Sequence, residues 1–431
     1  MRNSVLYFSI SLLILAAACA PISQSSVNSD TNPKTLRLSD YAYEGQIKTI
    51  QLYPGLGSTP DRMAPAAVNL AQQNLRLEFD DLRDQRDSYY AKIIHCTWDW
   101  KKSTLADLDF MTDYNEFTIT TFEFSVDTSV PFVHYWYDLP RMKLPGNYVL
   151  MVYRAGTAED LILTKRFMVF DSRVVLSDGS NQLVSGRAAE VNQQLNFVVS
   201  YPNLDVVNPS ENIKVVIRQN QRWDNMAQGL TPAFIREFDK ELEYRFFDDA
   251  KMFKGGNEFR FFDLRSINNP GRNVQRVDRL VKPAEAFIEP DKSRGDQAYS
   301  QYNDMNGGYQ IDNLDYRDDS FTNYLYVNFL LKTKPVSGQV YVGGALNYWN
   351  MDDENVMQYD SAQQAYKARM LLKQGWYDYA YVVQAANMTP YFFEGSHFET
   401  ENEYEILVYY KPFQPRADML IGYVRLSRNA R

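Results

Sequence analysis

The sequence predicts an all-β chain built of tandem β-sandwich domains. Three observations predict it. Short runs with period-two alternation recur along the chain, split by turn residues. No long helical pattern interrupts them. Aromatic residues make up 14% of the chain, with 31 Tyr and 25 Phe, and flat rings pack well on a pleated surface.

The runs fall into three sets. The first holds residues 47–52 (IKTIQL), ending at the turn Pro54-Gly55, then 75–79, 89–95 and 117–125 (FTITTFEFS). It closes with 147–153 (NYVLMVY), behind the turn Pro145-Gly146, and 166–170. A second set runs through 174–176, 195–201, 213–219, 242–247 and 257–265. The hydrophilic stretch 268–319 carries weak strand signals and reads as a long excursion, with one apolar segment at 279–288. A third set occupies 324–331, 339–346, 365–372, 376–383, 404–410 and 419–426. With 431 residues and roughly 100–200 residues per domain, these sets define sandwiches at 37–172, 173–318 and 319–431.

The N-terminus reads as an address. Arg2 makes a short positive head, residues 5–15 are apolar, and Ala16, Ala17 and Ala18 precede Cys19. This is the pattern of a bacterial lipoprotein signal peptide over residues 1–18, with lipidation of Cys19. The apolar stretch is too short for a comfortable membrane span. Residues 19–36 are rich in Ser, Asn, Thr and Pro and read as a flexible tether. The first acid behind Cys19 is Asp30, which favours the periplasmic face of the outer membrane over the cell surface. Cleavage before Cys19 removes one cation, Arg2, from a chain whose net charge is already −9. That balance argues against nucleic acid, whose phosphates need a basic surface.

The search for reactive groups predicts no enzyme, no cofactor and no metal. His95, His134 and His397 lie in separate strand-rich segments without ligand spacing. If Cys19 is lipidated, Cys96 is left alone in an apolar run, as a small buried strand residue. The pairs Asp80-Asp81, Asp248-Asp249, Asp318-Asp319 and Asp352-Asp353 read as solvated turns. No phosphate loop or nucleophile elbow occurs, and Gly343-Gly344 suggests a bulge or close packing in a strand.

Residues 340–350 (VYVGGALNYWN) followed by Gly375-Trp376 and Tyr379 resemble the early-set immunoglobulin-like fold of glycogen-binding modules. That resemblance extends the fold class to immunoglobulin-like sandwiches and makes Trp349 a candidate contact for a glycan or a partner. The alternative is that Trp349 and Trp376 pack internally.

A second resemblance is wider. Residues 47–55 (IKTIQLYPG), 75–82 (LRLEFDDL), 89–100 (YYAKIIHCTWDW), 131–135 (PFVHY), 144–148 (LPGNY), 256–266 (GNEFRFFDLRS) and 399–404 (ETENEY) together resemble the type IX secretion system plug proteins of Bacteroidota, over residues 37–428. The resemblance implies a non-enzymatic plug. Such a plug sits at the periplasmic side of the large outer-membrane translocon β-barrel and closes its channel when no cargo is engaged. It supplies no catalytic residues. The rival classes are a glycan-binding lipoprotein, which needs Trp349 exposed, and a hydrolase, which needs clustered polar groups with shifted pKa values in a cleft.

Overall fold

The computed structural model describes residues 34–178, 186–246, 251–316 and 318–430. It is all-β, with short helices such as Thr59–Met63 and Pro209–Asn212. Cys19 and the rest of the leader lie outside the described residues. The span Thr35–Arg431 forms one compact unit.

Three sandwich bodies share that unit. In the first, one sheet runs Tyr41–Ala42, Leu161–Phe170, Gly146–Arg154, Tyr89–Cys96, Phe117–Ile119. It faces a second sheet of Ile47–Pro54, Leu75–Asp81, Val133–Asp138 and Thr121–Phe124. Tyr148, Leu150, Val152, Leu77, Phe79 and Tyr135 meet in the core between them. In the second body, Val175–Asp178, Phe197–Ser200, Glu241–Tyr244 and Phe234–Arg236 make one sheet. Its partner sheet is Ile213–Gln219, Asn402–Tyr410 and Met419–Arg428. The third body wraps a long sheet path around one core, with Gly375–Gln384, Gln339–Gly343, Ala365–Lys373 and Tyr324–Lys332 as its main strands. The weak apolar segment near 279–288 supplies Glu285–Ile288, parallel to Tyr324–Lys332.

The strand pairing departs from three consecutive ranges. Ile213–Gln219 pairs antiparallel with Asn402–Tyr410, from Ile213↔Tyr410 to Gln219↔Tyr404. Arg260–Asp263 pairs with Gly375–Gln384 instead of with the strands that precede it. The third body is therefore inserted between the two halves of the second, and the C-terminal hairpin belongs to the second. Backbone groups of an apolar strand must find a ladder, and the nearest free one is distant in sequence.

That hairpin sheet is buried on both faces. Val215, Ile217, Ile406, Val408 and Ile421 point into the second core. The alternate residues Val216, Leu407, Tyr409 and Leu420 pack against Val149, Met151, Leu161 and Met168 of the first body. Two-sided burial removes the need for polar alternation, so residues 147–153 and 404–410 read as almost unbroken apolar runs.

Candidate functional site

Two features stand out where the bodies meet. The first is a buried ionic lock between the first and third bodies. Asp80, on Leu75–Asp81, is fully buried. Its Oδ2 accepts from the Tyr324 hydroxyl at 2.6 Å and from Lys373 Nζ at 2.7 Å. Its Oδ1 lies 2.6 Å from His134 Nδ1. The Thr49 and Tyr324 hydroxyls are 2.5 Å apart, and Lys373 Nζ sits 4.1 Å above the Phe132 ring. Burial alone would raise the Asp80 pKa, but the Lys373 and His134 charges overcome it and hold the carboxyl at about 2. The neighbour Asp81 points to the other face of the strand and binds Arg83 and Tyr89. The expected solvated turn is thus wrong for this pair: both carboxylates are buried strand residues with cationic partners. Asp318, Asp319, Asp352 and Asp353 are exposed, as solvated turns require. Asp248 and Asp249 lie outside the described residues.

The second feature is a cleft of about 420 Å³ lined by all three bodies. It carries six cations, Arg62, Lys165, Arg166, Arg218, Arg222 and Arg425, against three acids, Asp40, Asp304 and Glu403. That excess is notable in a chain of net charge −9. Local chemistry aims these side chains. Ser58 and Asp61 cap the short helix Thr59–Met63 reciprocally, which fixes Arg62. Asn220 and Gln221 are both left-handed, and the Arg222 amide donates to the Gln219 carbonyl at 3.0 Å. This tight reversal swings Arg222 and Trp223 inward. The Gln221 side chain secures the turn by donating to the Met63 carbonyl at 3.1 Å.

Five of the cations have a carboxylate of their own. Arg62 pairs with Glu78 at 3.1 Å, Lys165 with Asp40 at 3.1 Å, Arg222 with Asp224 at 2.6 Å and Arg425 with Glu403 at 2.8 Å. Arg218 pairs with Glu405. Asp304 lines the same cleft, and its hydrogen-bond partners are the backbone amides of Phe259 and Asn306. Burial raises its pKa to about 7. Asp378, against the amides of Met305 and Gly307, is raised to about 8 by burial and by Asp304. Both carboxyls satisfy loop backbone and lack a cationic partner among these contacts.

Trp349 is half-buried in this junction. The Arg222 guanidinium covers its ring at 3.6 Å, and Phe259 packs edge-on at 5.7 Å. Tyr348 and Trp349 are left-handed in sequence, closing the turn after Ala345–Asn347. Tyr348 then reaches the Ile50 carbonyl of the first body at 3.2 Å, and Asn350 the Asp40 carbonyl at 3.2 Å. The turn that carries Trp349, a candidate glycan or partner contact with internal packing as the alternative, is a joint between bodies. Gly343 follows the close-packing expectation: a Cβ there would lie 3.0 Å from Val382. Trp376 is half-buried and stacks on Phe261.

The remaining sequence candidates are not brought together. His95 is buried with neither ring nitrogen hydrogen-bonded, and desolvation lowers its pKa to about 4. His397 packs near Tyr299, far along the chain from the Asp80 lock. Cys96 is buried, and desolvation pushes its thiol up to about 12, so it stays protonated. Among the described residues, no three His, Cys, Asp or Glu side chains group as metal ligands, and no helix is long and apolar enough to cross a membrane.

On the outer surface, the edge strand Phe234–Arg236 exposes Phe234 and Ile235, and Phe238 beyond it is 100% exposed. An apolar, unpaired edge of this kind is a ready contact for another protein.

Residues 47–171 match the family model described as type 9 secretion system plug protein 1st domain. A crystal structure of a hypothetical protein from Parabacteroides merdae superposes with a TM-score of 0.84 at 27% identity, covering 91% of this chain and 100% of that one. None of the curated proteins matches.

Proposed function

We propose that this chain, whose residues 47–171 match the type 9 secretion system plug protein 1st domain, is a non-enzymatic gate. It binds the periplasmic side of the outer-membrane translocon barrel of that secretion system and closes the channel when no cargo is engaged. The observation that carries this reading is the plug first-domain match over residues 47–171. The architecture suits it: three bodies joined through packed seams make one block, and a block occludes a pore better than beads on a string. The exposed apolar edge at Phe234, Ile235 and Phe238 is the surface assigned to the barrel. The domain organisation serving this role is a first sandwich bearing the family signature, with the second and third bodies bracing it.

Cys19, once lipidated, would tether the block to the inner leaflet of the outer membrane. Residues 19–36 would give it reach and a high effective concentration at the barrel mouth. Mass spectrometry of the N-terminal peptide from membrane-extracted protein reads the lipid directly. Cys19→Ala should move the chain into the soluble periplasmic fraction; retention at the membrane would refute the anchor.

The gate itself is tested by permeability. Cells lacking this chain, with the translocon present and cargo loading blocked, should admit a large antibiotic that the intact outer membrane excludes. Unchanged exclusion in those cells would contradict closure of the channel.

A further inference from the structure

We propose that the three-body cleft is a carboxylate-binding site centred on Arg166. This inference is independent of the gate.

Arg166 differs from the other cations in the cleft. Among the described residues it forms no ion pair, whereas each of the other five has its own carboxylate. Its backbone amide donates to Asp40 Oδ1 at 2.7 Å, and its Nε donates to the Leu38 carbonyl at 2.8 Å. The terminal nitrogens have no protein acceptor among these contacts. The guanidinium is held over Trp100, 4.7 Å from the ring centroid, and lies 5.3 Å from that of Trp223. Trp100 and Trp223 themselves pack edge to face at 4.8 Å.

A guanidinium gripped through its flat face and its Nε keeps its outer N–H edge free and oriented. That edge matches the two oxygens of a carboxylate. Holding a cation in this half-buried place without a direct ion pair is unfavourable: the nearby Asp40 carboxylate, already paired with Lys165, offsets the cost only in part, and the neighbouring Arg218, 4.1 Å over the other aromatic partner Trp223, adds like charge. A bound anion relieves both. The other wall cations are already paired one by one, and Asp304, with its pKa of about 7, carries part of one further negative charge, so at most one unit of charge remains to be matched. A monovalent carboxylate fits that balance better than a dianionic phosphate. The cavity volume of about 420 Å³ and the aromatic walls of Trp223, Trp349 and Tyr348 accommodate an apolar body behind the carboxylate.

The test uses the full mature chain, N-acetyl-phenylalanine, its uncharged amide and inorganic phosphate, followed by titration calorimetry and tryptophan fluorescence. The acid should bind saturably at one site. The amide should bind weaker by about tenfold or more, the scale of a charge-assisted hydrogen bond. Arg166→Gln should weaken the acid by a similar factor, and Arg166→Lys less. Equal binding of acid and amide, no saturable binding of the acid, full affinity in a folded Arg166→Gln protein, or tighter binding of phosphate than of the acid would each overturn the assignment. Should Arg166→Gln fail to fold, the acid–amide comparison on the unaltered chain still decides.

Discussion

The two seams that hold the first body in place are made of opposite materials. Toward the second body the seam is apolar: Val149, Met151 and Met168 face Val216, Leu407 and Leu420 across a sheet buried on both sides. Toward the third body it is ionic: Asp80, His134, Lys373 and Tyr324 share one buried network. An apolar seam stabilises in proportion to the area it removes from water and is indifferent to pH. A buried ion pair contributes little net stability against an apolar replacement, yet punishes the loss of either partner and fixes one register. The first seam therefore supplies adhesion and the second supplies alignment. A block that must hold one shape uses both.

The largest effect is expected from stripping the ionic seam of its cation. Lys373→Met leaves Asp80 buried with only His134 and the Tyr324 hydroxyl as partners and should cost about 3–5 kcal/mol in urea unfolding. Asp80→Asn combined with Lys373→Met should recover much of that loss, because the uncompensated charge is gone. A cost for Lys373→Met below that of an exposed substitution would show the network to be unimportant. Next comes the apolar seam. Leu407→Ala removes side-chain contacts in the fully buried sheet and should cost about 2–5 kcal/mol. Its cost should be the same at pH 5 and pH 8, whereas that of Lys373→Met should vary with pH.

Protonation sharpens the contrast further. Asp80 and Glu394 are held at about 2, the latter against its burial by Arg260 and Arg294. Their folded pKa values lie below the unfolded values of about 4. Their contribution is present above about pH 4 and is lost as pH falls toward 2. Asp304 and Asp378 behave oppositely, with folded values of about 7 and about 8. The folded state holds extra protons between about pH 4 and 8, so their contribution is full below about pH 4 and disappears as pH rises through 7 to 8. Urea midpoints should fall between pH 6 and pH 9, and Asp378→Asn should flatten that fall. An unchanged slope in Asp378→Asn would contradict the assignment. The smallest stability change belongs to the exposed edge: Phe238→Ser should alter unfolding by no more than about 0.5 kcal/mol, while lowering recovery of the barrel partner.

How much of this could be read from the sequence differs by residue. The strand at 324–331 is legible from alternation, because it buries one face more than the other. The two-faced strands were legible as strands, and their unbroken apolar runs already carried the sign of burial on both sides. Their partners were not legible: nothing local in Ile213–Gln219 points to Asn402–Tyr410, since pairing of distant strands is decided by the whole core. Asp80-Asp81 misled because adjacent acids usually mark turns. The corrective signal was the run LRLEF directly before them, which continues the strand through both. Trp349 sits in the expected turn, but its cover, Arg222, comes from another body. The cleft cations come from widely separated segments, so their convergence has no sequence signature. The plug-family likeness, read from scattered short segments, coincides over the first body with the family match.

The most direct test of the gate is capture of the full chain from solubilised outer membranes, with identification of what accompanies it by mass spectrometry. The account predicts recovery of a very large β-barrel of the secretion system, enriched when cargo loading is blocked and reduced by Phe238→Ser. Capture of no such barrel under conditions that preserve the complex, or equal capture whether or not cargo is loaded, would contradict it.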